Sequence, residues 1–456
     1  MSHPPEAQAR PMPNAEAAEF DWYVGIDCGG ATHQVGVVDA HGHRVGERAV
    51  AHSGQALTAF AAWLHELAGP SLARVAVGLE TPHGGPVALC LEHGAAVFAI
   101  NPKQLERFRE RASAAGAKDD RRDAFVAASA LRTDRAAFHR VAPEAAALVR
   151  VRELSRGSDE LREEAARLSN RLRAQLERYF PPLLAVAPAA DEPWLWALLT
   201  LAPTPAAAAR LSERRLARLL RDYRIRRLSG ADVRALLQAP ALPVAPGTVE
   251  AVSAHVALLV PRLELVTRQH RACLAHLAAA LSALAGPADD PPAPAGPNAD
   301  AGPDADADAD AGAGPTGADR LGPVVRLLRS LPGVGVGVAG VLLAEAAPAL
   351  LAGDYHALRT HGGAAPVTRQ SGKQRLVVMR HACNRRLRTA LFHWARVSLQ
   401  RDAAAHRYYA ALRARGHSHA RTLRSLADRW LRILTAMLTT GTAYDASRFG
   451  VAAPTP

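Results

Sequence analysis

Apolar and polar positions follow a fixed order through residues 22–140. "WYVGIDCGG" (22–30) is a short apolar run closed by glycines, which predicts a strand. "THQVGVVDAHGHRVGERAV" (32–50) predicts two more strands around a His-Gly turn. "QALTAFAAWLHELAG" (55–69) carries apolar residues at helical spacing. "RVAVGLET" (74–81) predicts a fourth strand, "GGPVALCLEHG" (84–94) a helix and "AAVFAI" (95–100) a fifth strand. Two further helices follow, the second beginning near Lys118.

A three-stranded meander followed by alternating strands and helices is the element order of the ribonuclease H-like fold. Another five-stranded α/β sheet is the alternative. Residues 145–285 read as almost continuous helix. Leu154, Ser158, Leu161, Ala165, Leu168, Leu172, Leu176 and Tyr179 alternate steps of three and four, a heptad seam. A second seam runs through Leu263, Val266, His270, Ala272–Leu274, Leu277, Leu281 and Leu284. The pair predicts a coiled-coil arm, within one chain or between chains, with a plain helical bundle as the alternative. Residues 286–319 are Pro/Gly/Ala/Asp low complexity and predict a disordered linker. The expected domains are therefore 21–144, 145–285 and a mostly helical, basic 320–447, with tails at 1–20 and 448–456.

Charge narrows the class. The 456 residues include 55 Lys and Arg against 43 Asp and Glu, a net +12. Eight of the acids are aspartates inside the linker, so the rest of the chain sets 55 basic against 35 acidic residues. Only Lys103, Lys118 and Lys373 are lysines, and Arg suits bidentate phosphate contact. A polyanionic partner, usually nucleic acid, is expected. The four cysteines lie far apart and form no Cys-x-x-Cys pair, so neither a zinc site nor a disulfide framework is indicated. No signal peptide is visible, and no uncharged apolar run reaches about 18 residues. A reduced cytoplasmic location, without membrane contact, is expected.

Two constellations carry chemistry. Asp27 sits inside the apolar first strand, where a carboxylate is costly unless paired or bound to a cation. Glu80 ends the fourth strand. In a ribonuclease H-like sheet these strands are neighbours about 4.8 Å apart, so both acids can enter one pocket. In "AKDDRRDAFVAASALRTD" (117–134), Asp120 and Asp123 share a helix face, and so do Asp119 and Asp123. Converging carboxylates are what Mg²⁺ requires, and two such ions can activate an attacking oxygen on a phosphodiester and steady the leaving one.

The second constellation lies near the C-terminus. "LRSLPGVGVGVAGVLLAEA" places Pro-Gly-Val-Gly, with Gly333 and Gly335, between helical stretches, like a helix-hairpin-helix element. Its glycines would let backbone N–H groups approach a phosphate. In "GGAAPVTRQSGKQRLVVMRHACNRRLRTALFHWA" (362–395), Ser371 sits in a polar turn among Arg369, Lys373 and Arg375. Such a turn would stabilise charge on a hydroxyl nucleophile. Arg380, Arg385, Arg386 and Arg388 then give a basic face that is either solvated or phosphate-binding.

Asp27 in "GID", Glu80 before Thr81 and "KDDRRDA" resemble the Asp-Glu-Asp-Asp set of RuvC-like transposases. "LPGVG", "RQSG" and "CNRRLRTAL" resemble the C-terminal domain of the same proteins. Together they are similar to the insertion-sequence transposases of the IS "one-ten" family, bridge-RNA-guided DNA recombinases. The resemblance implies that Asp27, Glu80, Asp120 and Asp123 bind Mg²⁺ and that Ser371 attacks DNA and holds the strand covalently. It also implies nucleic-acid contacts for Lys118, Arg121, Gly333, Gly335, Arg369, Lys373, Arg375, Arg380, Arg385 and Arg388. A structured guide RNA and a homo-oligomer whose subunits complete each other's active site are implied as well.

Other classes make different demands. A RuvC-like junction resolvase would use the same four acids with water as the attacking group. A sugar-kinase-like ATPase would share "GIDCGGATHQVGVVDAHG" but needs a second Asp-Gly nucleotide motif, which the chain lacks. A nucleic-acid-binding protein that has lost catalysis would not need all the acids.

Overall fold

The computed structural model describes residues 20–112, 119–286, 320–371 and 374–447. Lys118, Lys373 and nearly all of the low-complexity segment lie outside them, as do the tails up to residue 19 and from residue 448. The chain forms two compact units, Met1–Glu144 and Ala145–Pro456.

The first unit is built on a six-stranded mixed sheet in the order β3-β2-β1-β4-β5-β6. Its strands are β1 (Trp22–Cys28), β2 (Thr32–Asp39), β3 (Arg44–Ala51), β4 (Val75–Leu79), β5 (Ala96–Ala99) and β6 (His139–Val141). The first three pair antiparallel, β1–β4 and β4–β5 pair parallel, and β6 returns antiparallel at the edge. That sheet is compatible with a DEDD nuclease fold. The sixth strand goes beyond the five expected, because it is short and carries no apolar alternation. Helices α1 (Gly54–Ala68), α2 (Gly85–Glu92), α3 (Pro102–Ala112) and α4 (Asp120–Asp134) surround the sheet. Val24, Ile26, Val35, Val37, Val77 and Val97 fill one core, with Phe60 and Leu64 of α1. Phe20, Tyr23 and Phe98 join Phe125 and Leu131 of α4 in another, so residue 20 belongs to the fold, not to a tail.

Helix α4 lies on the sheet because a row of glycines makes room for it. Gly36, Gly25 and Gly78 stand side by side across β2, β1 and β4. A Cβ on Gly25 would fall 1.9 Å from the Ala124 carbonyl oxygen, and one on Gly36 would meet Phe125 at 2.9 Å. The helix backbone therefore touches the strand backbone, which no larger residue would permit.

The described residues of the second unit are helical apart from one hairpin and the short connections. Its helices are α5 (Ala146–Tyr179), α6 (Pro182–Val186), α7 (Pro193–Leu201), α8 (Pro205–Ala209), α9 (Glu213–Asp222), α10 (Gly230–Leu237) and α11 (Thr248–Ala285). From residue 320 onward come α12 (Leu321–Ser330), α13 (Val336–Leu351), α14 (Tyr355–His361), β7 (Val367–Ser371), β8 (Gln374–Val378), α15 (Arg385–Arg401), α16 (Ala403–Ala414) and α17 (His419–Thr440). Helices α5 and α11 pack on each other. Their seam residues divide between two cores. Leu168, Leu172, Leu176, Leu263 and Val266 pack with α6–α10. Leu277 and Leu281 pack instead with α12, α13, α15 and α17.

Candidate active site

The acidic site is assembled at the C-terminal end of the two central parallel strands. Asp27 leaves β1 one residue after Ile26, which is paired with Leu79, so Glu80 follows at the matching level of β4. Helix α4 supplies the remaining acids from above the glycine row. Asp119 is its N-cap, its Oδ1 accepting the Arg121 backbone N–H at 3.1 Å. Asp120 and Asp123 follow in the first turn.

Asp27, Asp120 and Asp123 each offer a carboxylate oxygen within 4.8 Å of the others. Asp123 is only 2% exposed, and its Oδ2 is buried with no hydrogen-bond partner among the described residues. An orphaned carboxylate oxygen in a trio of acids fits a divalent cation, which takes hard oxygen ligands. Asp119 is engaged as a cap and is not in the trio.

Glu80 stands outside the trio. Arg109 of α3 explains where it goes. Its Nε lies 2.8 Å from Asp123 Oδ1, and its Nη2 donates to Glu80 Oε1 at 3.3 Å. One guanidinium thus ties the strand acid to the helix acid. Sequence reasoning missed Arg109. No spacing links it to either acid, and the only signal was that a buried carboxylate needs a counter-charge. Cys28 reports the field at this site. Its thiol is pushed up to about 11, by burial first and then by the Asp27 and Glu80 charges.

The C-terminal residues divide by environment. Gly333 turns the chain between α12 and α13 with φ +86°, and a Cβ there would meet the Ser398 backbone nitrogen of α15 at 2.8 Å. Its small size serves packing. Gly335 N-caps α13, and a Cβ at that position would meet nothing within 4 Å, so that turn end is open. Arg369 and Ser371 lie on β7 and Arg375 on β8, with Ser371 opposite Gln374 at the hairpin tip. Their side chains, with Lys373, lie outside the described residues.

Arg121 pairs with Glu47 at 3.1 Å on the surface. Arg385 is exposed at the start of α15. Arg386 does not belong to an open basic face. It donates to Asp159 at 2.9 Å and Ser155 at 3.0 Å, and it pairs with Glu345, because α15 packs that edge against α5 and α13. Arg388 Nη2 donates to the Arg380 carbonyl, while the Nε atoms of both arginines are buried without partners among the described residues.

The sheet is compatible with a DEDD nuclease fold, and the family models give the class, a DEDD-type transposase. The DEDD transposase model of IS110 matches residues 24–181, and the model for the transposase IS116/IS110/IS902 family matches residues 325–410. The chain belongs to this family, whose members are DNA transposases and recombinases. It is 30% identical over 435 residues to the protein assigned as the mini-circle transposase for IS117 of Streptomyces coelicolor, covering 93% of this chain and 96% of the relative. It is 45% identical over 206 residues to a protein assigned as transposase y4uE of Sinorhizobium fredii, covering 45% of this chain and 57% of that relative's length. An uncharacterized 43.6 kDa protein of insertion element IS110 from Streptomyces coelicolor is 30% identical, over 72% of this chain and 73% of its own length. Among the described residues no helix is long and apolar enough to cross a membrane.

Proposed function

We propose that this transposase cuts and rejoins DNA strands at element ends and target, using Mg²⁺ at Asp27, Glu80, Asp120 and Asp123 and Ser371 as nucleophile. In this reading residues 21–144 are a RuvC-like, ribonuclease H-like catalytic domain, 145–285 a coiled-coil arm and 320–447 a C-terminal domain with a helix-hairpin-helix element. A structured RNA selects the DNA by base pairing, and the protein acts as a homo-oligomer. The observation that carries the reading is the convergence of Asp27, Asp120 and Asp123, one oxygen of the buried Asp123 having no hydrogen-bond partner among the described residues.

The chain's own residues have separate tasks. Arg109 holds Asp123 and Glu80 in fixed orientation. The bound cation would stabilise charge building on phosphate oxygens. Ser371 Oγ attacks phosphorus and loses its proton as the new P–O bond forms, and the strand's own P–O bond breaks to release a hydroxyl end. Rejoining reverses the exchange with a different strand's hydroxyl, so the phosphodiester energy is kept.

The test is a Ser371→Ala chain incubated with supercoiled DNA, its RNA and Mg²⁺. The serine reading expects no protein–DNA adduct and no recombinant product. Strand exchange that persists in the variant would favour water as the attacking group, as in a junction resolvase that needs only the acids.

A further inference from the structure

A small cavity of about 150 Å³ lies between α15 and α17 in the second unit. Gly362, Gly363, Met379 and Leu391 line it, together with Arg388 and Arg424. Gly363 has φ +70°, and a Cβ there would fall 3.0 Å from Arg388 Nε, so this glycine is what lets the guanidinium sit against the backbone. Arg388 Nε is buried and has no hydrogen-bond partner among the described residues. Arg424 is half-buried beside it, and no ion pair to Arg424 occurs among the described residues.

Among the described residues no carboxylate offsets this pair of charges. Asp428, one turn beyond Arg424 on α17, is engaged by Arg359 Nε at 3.0 Å and by the Tyr355 hydroxyl at 3.0 Å. Burial first, then the Arg388 and Arg421 charges, push Arg424 below the usual guanidinium range. Like charges drawn together out of water are unfavourable unless an anion joins them. Two guanidinium groups facing one cavity suit the several oxygens of a phosphate.

The cavity's place in the chain says which phosphate. Gly362–Gly363 lead into β7 and Met379 follows β8, so the cavity sits at the base of the hairpin whose tip carries Ser371. Val367 pairs with Val378 at that base, and Ser371 is four residues further on, about 13 Å along the strand. One phosphate cannot occupy both places. We infer that this cavity binds a backbone phosphate of the DNA other than the one presented to Ser371, with Arg424 and Arg388 as its two clamps. This rests on the proposed reading that the protein acts on DNA. It adds Arg424, which lies beyond the 325–410 stretch matched by the family model.

The experiment measures affinity of the full chain for a labelled DNA duplex across a salt series, with melting temperature read in parallel with and without inorganic phosphate. Arg424→Gln is expected to weaken binding about tenfold at low salt and to reduce the slope of log K against log salt by about one. Arg424→Lys keeps the charge and should keep the slope. In phosphate-free buffer Arg424→Gln should melt no lower than the parent, because one of two crowded charges is gone. Inorganic phosphate should raise the melting temperature of the parent more than that of the variant. An unchanged slope overturns the inference. So does a variant that melts lower than the parent without phosphate, which makes Arg424 a packing residue. A slope that falls only on an RNA hairpin of equal length overturns the assignment to DNA. Binding is read without cleavage, so Ser371→Ala should keep the parental slope whatever that variant shows about the nucleophile.

Discussion

In the first unit, the buried Asp123 has a counter-charge built in, because Arg109 stands 2.8 Å from its Oδ1. In the second unit, Arg388 and Arg424 face one cavity with no carboxylate between them among the described residues. The acid site can fold in the absence of a ligand, since half of Asp123 is already neutralised and only Oδ2 awaits a partner. The arginine site keeps its charge uncompensated, so an arriving polyanion gains the full attraction. A site that must hold a small cation before substrate arrives needs internal compensation. A site that grips the substrate itself gains from having none.

The comparison is tested most severely at Asp123. Asp123→Asn keeps the side chain's shape and leaves Glu80 to pair with Arg109, so the fold should survive. Metal-dependent cleavage of supercoiled DNA should fall by about a thousandfold or more, because the buried ligand loses its charge. Near-parental cleavage by a folded variant would separate the acidic trio from the chemistry.

Arg109→Gln asks whether the built-in compensation matters. It strands a buried carboxylate, which costs about 3–5 kcal/mol for a fully buried pair. Arg109 is 32% exposed although Asp123 is only 2% exposed, so about 2–3 kcal/mol is expected here. Mg²⁺ or Mn²⁺ should restore more stability to this variant than to the parent, since the cation replaces the missing positive charge. Urea unfolding with and without metal reads both effects. Equal metal responses in parent and variant would mean that the trio does not bind the ion.

Gly25→Ala breaks the site from beneath. Its Cβ would need the space of the Ala124 carbonyl oxygen, 1.9 Å away, and backbone cannot yield as a flexible side chain can. A loss of about 1–3 kcal/mol is expected, with α4 displaced and cleavage reduced alongside. An equally destabilised variant that cleaves normally would show that helix placement does not control the acids.

These features were unequally legible in the sequence. The strands were legible as short apolar runs with glycine stops, and the ribonuclease H-like element order made β1 and β4 neighbours, so their adjoining ends could be expected from "GID" and "GLET". Asp120 and Asp123 were readable from helical spacing. The glycine row was not, because Gly25, Gly36 and Gly78 are far apart in sequence and meet only through strand register. Arg109 and Arg424 were hidden for the same reason among 55 basic residues, most of which carry no distinguishing pattern. Arg386 looked like its neighbours in "NRRLR", and only packing against Asp159, Ser155 and Glu345 sets it apart.

The smallest expected effect separates two adjacent acids that helical spacing left equivalent. Asp119 and Asp120 both stand within reach of Asp123 in sequence, yet only Asp119 accepts a backbone N–H as N-cap and only Asp120 joins the trio. Asp119→Ala removes the cap and should cost about 1 kcal/mol of stability. The glycine row still seats α4, so cleavage should stay within a few-fold of the parent. Asp120→Asn should show the opposite split. Asp120 is exposed, so its stability change should be about 0.5 kcal/mol or less, while cleavage should drop with the loss of a ligand charge. Urea midpoints and cleavage rates measured on the same preparations resolve the pair. A stable, inactive Asp119→Ala beside an active Asp120→Asn would move the ligand to Asp119 and require the first turn of α4 to rewind when the metal binds.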